Sequence, residues 1–279
     1  MKKNIRTIPM KLLLAILIIL LLAWTLLPFY SLIITSLSPA GELPTKLFEV
    51  SKNLTFKFYK EVLIEPGTTL WDNMFNSVIV ASLVTIIVLI SAVFGGYSFS
   101  RSNFPESRGL FFLLLIIRMV PGILMVIPIF IIASKLHLMD TILGLVLAHI
   151  PFNIPLAIWL MKGFFDVVPR ELEEAAFIDG ATMPRTIFSV ILPLVMPGVA
   201  VTAVFVFLYS YLDYLFALTL SRVNIITLPI KIAGFMTAHR IDFQAMAASA
   251  IVGTIPMILM FIFIRRYIVA GLTFGAVKE

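Results

Sequence analysis

The chain has 279 residues, 61% of them hydrophobic and only 13% charged. No soluble fold hides that much apolar surface, so its main solvent must be lipid. The formal charge of +6 does not indicate nucleic acid, because the Lys and Arg residues are scattered in short clusters between apolar runs, as orientation in a membrane requires.

A membrane-spanning helix needs about 20 mostly apolar residues. The first candidate, 12–37, follows Lys2, Lys3, Arg6 and Lys11. It is longer than the apolar core of a signal peptide and no small-x-small site follows it, so it reads as a retained first helix. The connection 38–76 contains Phe56-Lys57-Phe58-Tyr59-Lys60-Glu61-Val62-Leu63, which predicts a short amphipathic helix at the membrane interface. Further spans are expected at 77–99, 110–134, 141–161, 195–220 and 245–264. The predicted fold class is all-α and polytopic, with six transmembrane helices in one domain over 1–279. Alternating sides, twelve basic residues fall on the face holding both termini and the 162–195 connection, and eight on the other; Arg118 lies within a span. The bias makes the termini and that connection cytoplasmic.

The third span carries Arg118, eight residues in and so roughly 12 Å deep at the helical rise, with Pro121 and Pro128 after it. Charges inside spans are functional candidates. Arg118 lines a pathway in one reading and bonds freed carbonyls in another. The fourth span holds His149, Pro151, Asn153 and Pro155. Its prolines free carbonyls, so these polar groups are expected on a broken helix, where they either meet a solute or join helices.

The stretch 168–193 has its own pattern. Pro169 suits a first helical position. Residues from Arg170 to Ile178 are good helix formers with acids in the first turns, where the helix dipole favours them. Leu172, Ala175, Ala176 and Ile178 are expected near one face. Gly180 supplies a left-handed stop, Thr182 a cap for a second helix with Pro184 in its first turn, and Pro193 a break. The residues alone leave two readings open: an amphipathic connector on the membrane, or a knob entering a partner's groove, with Ala175 and Ala176 permitting close approach and the glutamates supplying charge pairs.

The fifth span contains Ser210, Tyr211, Asp213 and Tyr214. Tyrosines beside a carboxylate suit sugar contacts, and equally an aromatic belt. Asp213 lies far deeper than Arg118, so no pair between those two is expected. The chain ends in a basic tail, 265–279.

Several of these segments resemble a known family. Glu174-Ala175-Ala176, then Gly180 after three residues, then Leu192-Pro193, match the EAA loop of ABC importer permeases, with Val190 where isoleucine is usual. The stretch from Pro169 to Ala181 and the tail Val269-Ala270-Gly271-Leu272-Thr273-Phe274-Gly275-Ala276-Val277-Lys278 resemble the carbohydrate branch, as does Asn76-Ser77 before the second span. The likeness covers most of the chain and is strongest to the MalG-like permease of maltose-type sugar importers.

The resemblance implies a type I ABC importer permease fold in a prokaryotic inner membrane, with coupling helices between spans four and five. It implies a homologous second permease, two ATP-binding subunits docked at the loops, and an extracytoplasmic sugar-binding protein. Glu174, Ala175, Ala176, Asp179, Gly180, Leu192 and Pro193 would then couple to the ATPase. Arg118, Asn153, Ser210, Tyr211, Asp213 and Tyr214 are the candidate substrate pathway. This chain has Ser210-Tyr211-Leu212-Asp213-Tyr214 where the family often has Ser-Trp-Asn-Glu/Asp-Phe, and in the maltose case the partner permease holds the sugar.

No G-x-x-x-x-G-K-[ST] motif occurs, so ATP and Mg belong on a partner ATPase and this chain is expected to bind no cofactor. Cysteine is absent, and His137, His149 and His239 lie far apart without an H-E-x-x-H motif, so neither metal nor catalytic residue is expected. The alternatives are a permease for another solute, such as an amino acid or phosphate, and an ion-coupled secondary transporter. The latter predicts paired intramembrane acids and a repeat, whereas Asp213 reads as nearly alone.

Overall fold

The computed structural model describes residues 7–42, 49–65, 69–102, 105–237 and 241–274, with side chains from residue 10 to residue 267. The far end of the tail, 275–279, lies outside the described residues, as do the side chains of 268–274. In chain order the helices are α1 (Thr7–Leu37), α2 (Lys57–Ile64), α3 (Trp71–Arg101), α4 (Ser107–Arg118), α5 (Gly122–Lys135), α6 (Ile142–Asp166), α7 (Glu171–Ile178) and α8 (Met183–Thr186). A π-helical turn (Ile187–Ile191) follows, then α9 (Leu192–Leu194), α10 (Met196–Tyr211), α11 (Leu215–Leu220), α12 (Leu228–Ala233), α13 (Phe243–Gly253) and α14 (Ile255–Phe274). No β-strand occurs among the described residues.

Four segments are long and apolar enough to cross a membrane alone: Met10–Leu37, Trp71–Arg101, Ile142–Asp166 and Phe243–Tyr267. Two bent pairs qualify if each is taken as one span: Ser107–Arg118 with Gly122–Lys135, bent by 89°, and Met183–Leu194 with Met196–Tyr211, bent by 79°. The first bend follows from Pro121. Proline disfavours helical backbone before it and offers no amide. The last turn of α4 therefore tightens, with Met119 N donating to Ile116 O at 3.0 Å and Val120 N to Ile117 O at 3.3 Å. Arg118 consequently ends a helix, at the broken turn that Pro121 leads one to expect.

The chain divides into two compact units. In the unit formed by 1–71 and 232–254, α1 and α2 pack on α13. The short helix α2, expected from the sequence, turns Phe58 and Val62 into this unit, 1% and 0% exposed, while Ile64 and the preceding Phe56 stay exposed. Tyr59 Oη and Ser36 Oγ are 2.8 Å apart, and Gln244 Nε2 donates to the carbonyls of Pro39 and Glu42. Most of the α1 surface stays apolar and exposed, Trp24 included, as a helix facing lipid or another chain requires.

In the unit formed by 72–231 and 255–279, Val80, Val84, Val88 and Ala92 recur every four residues along α3 and are buried. They join Leu145, Ala157, Met161 and Phe165 of α6 in one core. Small residues let these helices approach closely: a Cβ added at Gly96 would lie 2.7 Å from Met161 Cβ and 2.9 Å from Lys162 N. Close backbone approach at small residues is how helices associate in lipid. α6 runs unbroken through Pro151 and Pro155, against the break expected there; packing against α10, α4 and α11 holds it in line, and between the two prolines the buried amide side chain of Asn153 donates to His149 O at 2.9 Å.

Candidate functional site

The 168–193 connection folds as a helix, a glycine turn and a second, composite helix. α7 ends in a complete Schellman motif: Gly180 N donates to Phe177 O at 3.0 Å and Ala181 N to Ala176 O at 2.9 Å. Gly180 has φ +80°, and a Cβ there would touch nothing within 4 Å. The demand for glycine is therefore conformational and not one of space. Thr182 precedes α8 in extended backbone but makes no side-chain cap. Its carbonyl instead receives Thr186 N and Thr186 Oγ1. Pro184 lies in the first turn. The break expected at Pro193 falls later, at Val195. The π turn ahead of the proline, in which Leu192 N reaches Ile187 O, carries the helix past it, and wider turns of this kind absorb a helix irregularity.

α7 presents two different sides. Glu173 and Ala176 turn inward and are buried, at 6% and 9% exposure. Glu171, Glu174, Ala175 and Ile178 are exposed, at the three- and four-residue spacing of a single helix face. Asp179 and Gly180 follow on the exposed turn. Sequence reasoning placed Ala176 with Ala175 and Ile178; the structure gives Ala176 to the inner side. Ile178 is 86% exposed. The outward face thus offers two carboxylates around a small residue and one protruding aliphatic side chain. Pro193 is exposed and Leu192 half-buried at the far end of the loop. Alongside runs a mostly apolar cleft of about 670 Å3, lined by Phe111, Trp159, Phe164, Val168, Leu172 and Leu194 among others.

The inward carboxylate of Glu173 is held on both oxygens. Arg101 Nε is 2.6 Å from Oε1, and Tyr97 Oη donates to Oε2 at 2.8 Å. Arg101 also donates to the carbonyls of Phe165 and Val168 and to Ser100 Oγ. Beside it, Asp166 accepts from Ser100 Oγ and pairs with Lys162. Sequence reading missed this cluster because its members are separated by some 70 residues; the one available cue was an arginine ending one apolar run.

The polar positions of the spans separate into two groups. Asn153, Ser210 and Tyr211 are buried within their own unit, with Tyr211 stacked on Phe207, ring centroids 5.6 Å apart. Asp213 is not alone: its Oδ2 is 3.1 Å from His149 Nε2 and accepts the amides of Phe216 and Ala217. Arg118 lies over the exposed ring of Tyr209, 5.0 Å from its centroid, a cation–π contact. Among the described residues no ion pair joins Arg118 to Asp213. Tyr214 is exposed.

Beyond α5, Asp140 adopts φ +57°, a conformation that aspartate tolerates better than most residues. Its carboxylate accepts the amides of Arg222, Val223, Asn224 and Ile225 at 2.8–3.0 Å, plus Asn224 Nδ2. Burial pushes its carboxyl up, but the backbone amides outweigh this and hold it well below the usual carboxylate range. Among the described residues no group of acids and histidines could hold a metal ion.

Comparison with known proteins gives this geometry a family. Residues 87–273 match the model of the binding-protein-dependent transport system inner membrane component. The trehalose transport system permease protein SugB of Mycobacterium tuberculosis is 36% identical over 267 residues, which cover 95% of this chain and 96% of that one. The trehalose/maltose transport system permease protein MalG of Thermococcus litoralis is 33% identical over 257 residues, 91% of each chain. In fold the chain is similar to a bacterial ABC transporter involved in the import of the acidic polysaccharide alginate. The TM-score is 0.74 at 20% identity, covering 96% of this chain and 98% of that one. The protein is a multi-pass, non-catalytic membrane component of an ABC importer, and it belongs to the family of binding-protein-dependent transport system inner membrane components.

Proposed function

We propose that this chain is the permease subunit of an importer that moves a sugar, an oligosaccharide or related glycoside, inward. The sugar assignment is supported by the relatives, whose names specify trehalose and trehalose/maltose transport. ATP hydrolysis takes place on a separate subunit, with its own Mg, docked at the outward face of α7. The observation carrying this reading is that face itself: Glu171, Glu174, Ala175 and Ile178 exposed together on a helix whose other side is fixed. A groove with basic groups around an apolar slot fits it. Glu174, Ala175, Ala176, Asp179 and Gly180 form the coupling core, with Leu192 and Pro193 closing the loop.

The distribution of basic residues supports a cytoplasmic loop and cytoplasmic termini. The remaining partners are a homologous second permease, a second ATP-binding subunit and an extracytoplasmic sugar-binding protein. Within the spans, Arg118, Asp213 and Tyr214 lie nearest a solute pathway, whereas Asn153, Ser210 and Tyr211 support it from inside the unit.

The test has two arms. The cognate binding protein is titrated with a sugar panel, and the assembled transporter is assayed for uptake of the sugar bound. Glu174→Lys is expected to abolish ATPase co-purification and uptake while membrane insertion persists. Normal uptake by that variant would overturn the docking assignment, and a binding protein that takes amino acids but no sugar would overturn the substrate class.

A further inference from the structure

The inward side of α7 carries a second consequence. Glu173 is buried between Tyr97 and Arg101, which stand one turn apart on the last turns of α3. Both its oxygens are bound there, at 2.8 and 2.6 Å. Arg101 extends the attachment to the end of α6, donating to Phe165 O at 3.1 Å and Val168 O at 3.0 Å. The Tyr97 ring meets Phe165 edge-on with centroids 5.7 Å apart. The residue immediately before Tyr97, Gly96, brings the α3 and α6 backbones together with no room for a Cβ. An eight-residue helix has little intrinsic stability, so its orientation is set by such attachments. α7 is thus fixed on its inner side to the ends of two long apolar helices that are locked to each other.

We infer that the Arg101–Glu173–Tyr97 cluster is the joint through which movement of α7 reaches α3 and α6, so that Arg101 and Glu173 are positioning residues for coupling. This rests on the reading of α7 as the ATPase dock. The outer face receives the partner and the inner carboxylate carries the displacement. A buried, hydrogen-bonded ion pair suits this task because it is directional and fails only when a charge is left unpaired.

The absence of cysteine makes the test direct. Phe75→Cys places a thiol at an exposed position near the far end of α3, about 39 Å along the helix from Arg101. In the assembled transporter, its reaction with a water-soluble maleimide is timed without nucleotide and after trapping with ATP and vanadate, and this chain is resolved from its partners by mass. The parent should show a nucleotide-dependent change of roughly fivefold or more, the lower end of coupling between sites. Arg101→Met and the near-isosteric Glu173→Gln should retain the ATPase and its hydrolysis but lose that change. Tyr97→Phe, which keeps the ion pair, should retain part of it.

The inference is overturned if the change persists in Arg101→Met and Glu173→Gln, if the parent shows none, or if these variants release the ATPase and so act on docking. Were no ATPase to co-purify with the parent, the docking reading itself would fail, and the joint with it. Glu174→Lys separates the cases, since it should release the ATPase without touching the cluster.

Discussion

His149 Nε2 stands 3.1 Å from Asp213 Oδ2, the same oxygen that accepts the amides of Phe216 and Ala217. One carboxylate therefore starts α11 and ties it to α6. Replacing it with Leu leaves the part-buried amides of Phe216 and Ala217 without their acceptor and removes the carboxylate beside the His149 ring. A buried donor without a partner costs about 1–3 kcal/mol, so Asp213→Leu should lower the thermal midpoint in detergent clearly. Asp213→Asn, which retains one acceptor oxygen, should lower it less. Equal midpoints for the two variants would show that the carboxylate contributes nothing as a cap.

Gly180 makes a different prediction, because its constraint is torsional. With φ at +80° and open space around it, any L side chain is strained by about 1–2 kcal/mol. Gly180→Leu should misdirect the Schellman turn and reduce ATPase co-purification, and Gly180→Asn should be milder, since asparagine tolerates this region. Co-purification of the solubilised complex measures both.

At Gly96 the constraint is space. A Cβ would sit 2.7 Å from Met161 Cβ and 2.9 Å from Lys162 N, and backbone cannot swing aside as a side chain can. Overpacking of this kind costs about 1–3 kcal/mol. Gly96→Val should lower thermal stability and uptake together, whereas Gly109→Ala, where a Cβ meets nothing within 4 Å, should leave both unchanged.

The Asp140 clasp is pH-dependent in a defined direction. Its carboxyl is depressed on folding, so its contribution is fully present above the unfolded value of about 3.9 and is lost as pH falls through the depressed value. Between pH 5 and 8 the 222–225 amides should therefore show unchanged protection. Asp140→Asn, which turns one acceptor into a donor, should release about two amides at roughly 1 kcal/mol each. Hydrogen exchange measured by mass spectrometry should then speed at these residues on the order of tenfold or more. Unchanged exchange in the variant would show that the loop is held by something else.

The sequence was most legible where the signal is local. Apolar runs located the long helices, and the acidic start and Gly180 described α7 and its stop. It was least legible where a side chain binds something distant. Glu173 reads as one of three acids within four residues, and nothing local says that it alone turns inward. Asp140 and Asp213 look like isolated acids until the fold brings them to backbone amides and His149. The prolines were legible in the third span and misleading in the fourth. Pro121 bends the chain by 89°, whereas Pro151 and Pro155 leave α6 intact, because neighbouring helices packed along α6 hold it in line.

The π turn at Ile187–Ile191 also bears on how far this loop can drift in length. A π turn contains one residue more than the α-helical turn it replaces, so it stores a removable residue in the middle of a helix. Deleting Ser189, which is exposed, should let the segment close as ordinary α-helix. Its ends would stay anchored at Thr186 and Val195, while the side chains between them would be re-indexed by about a quarter turn. Relatives that lack one residue here would then keep the same backbone path while presenting a different set of side chains beside α7.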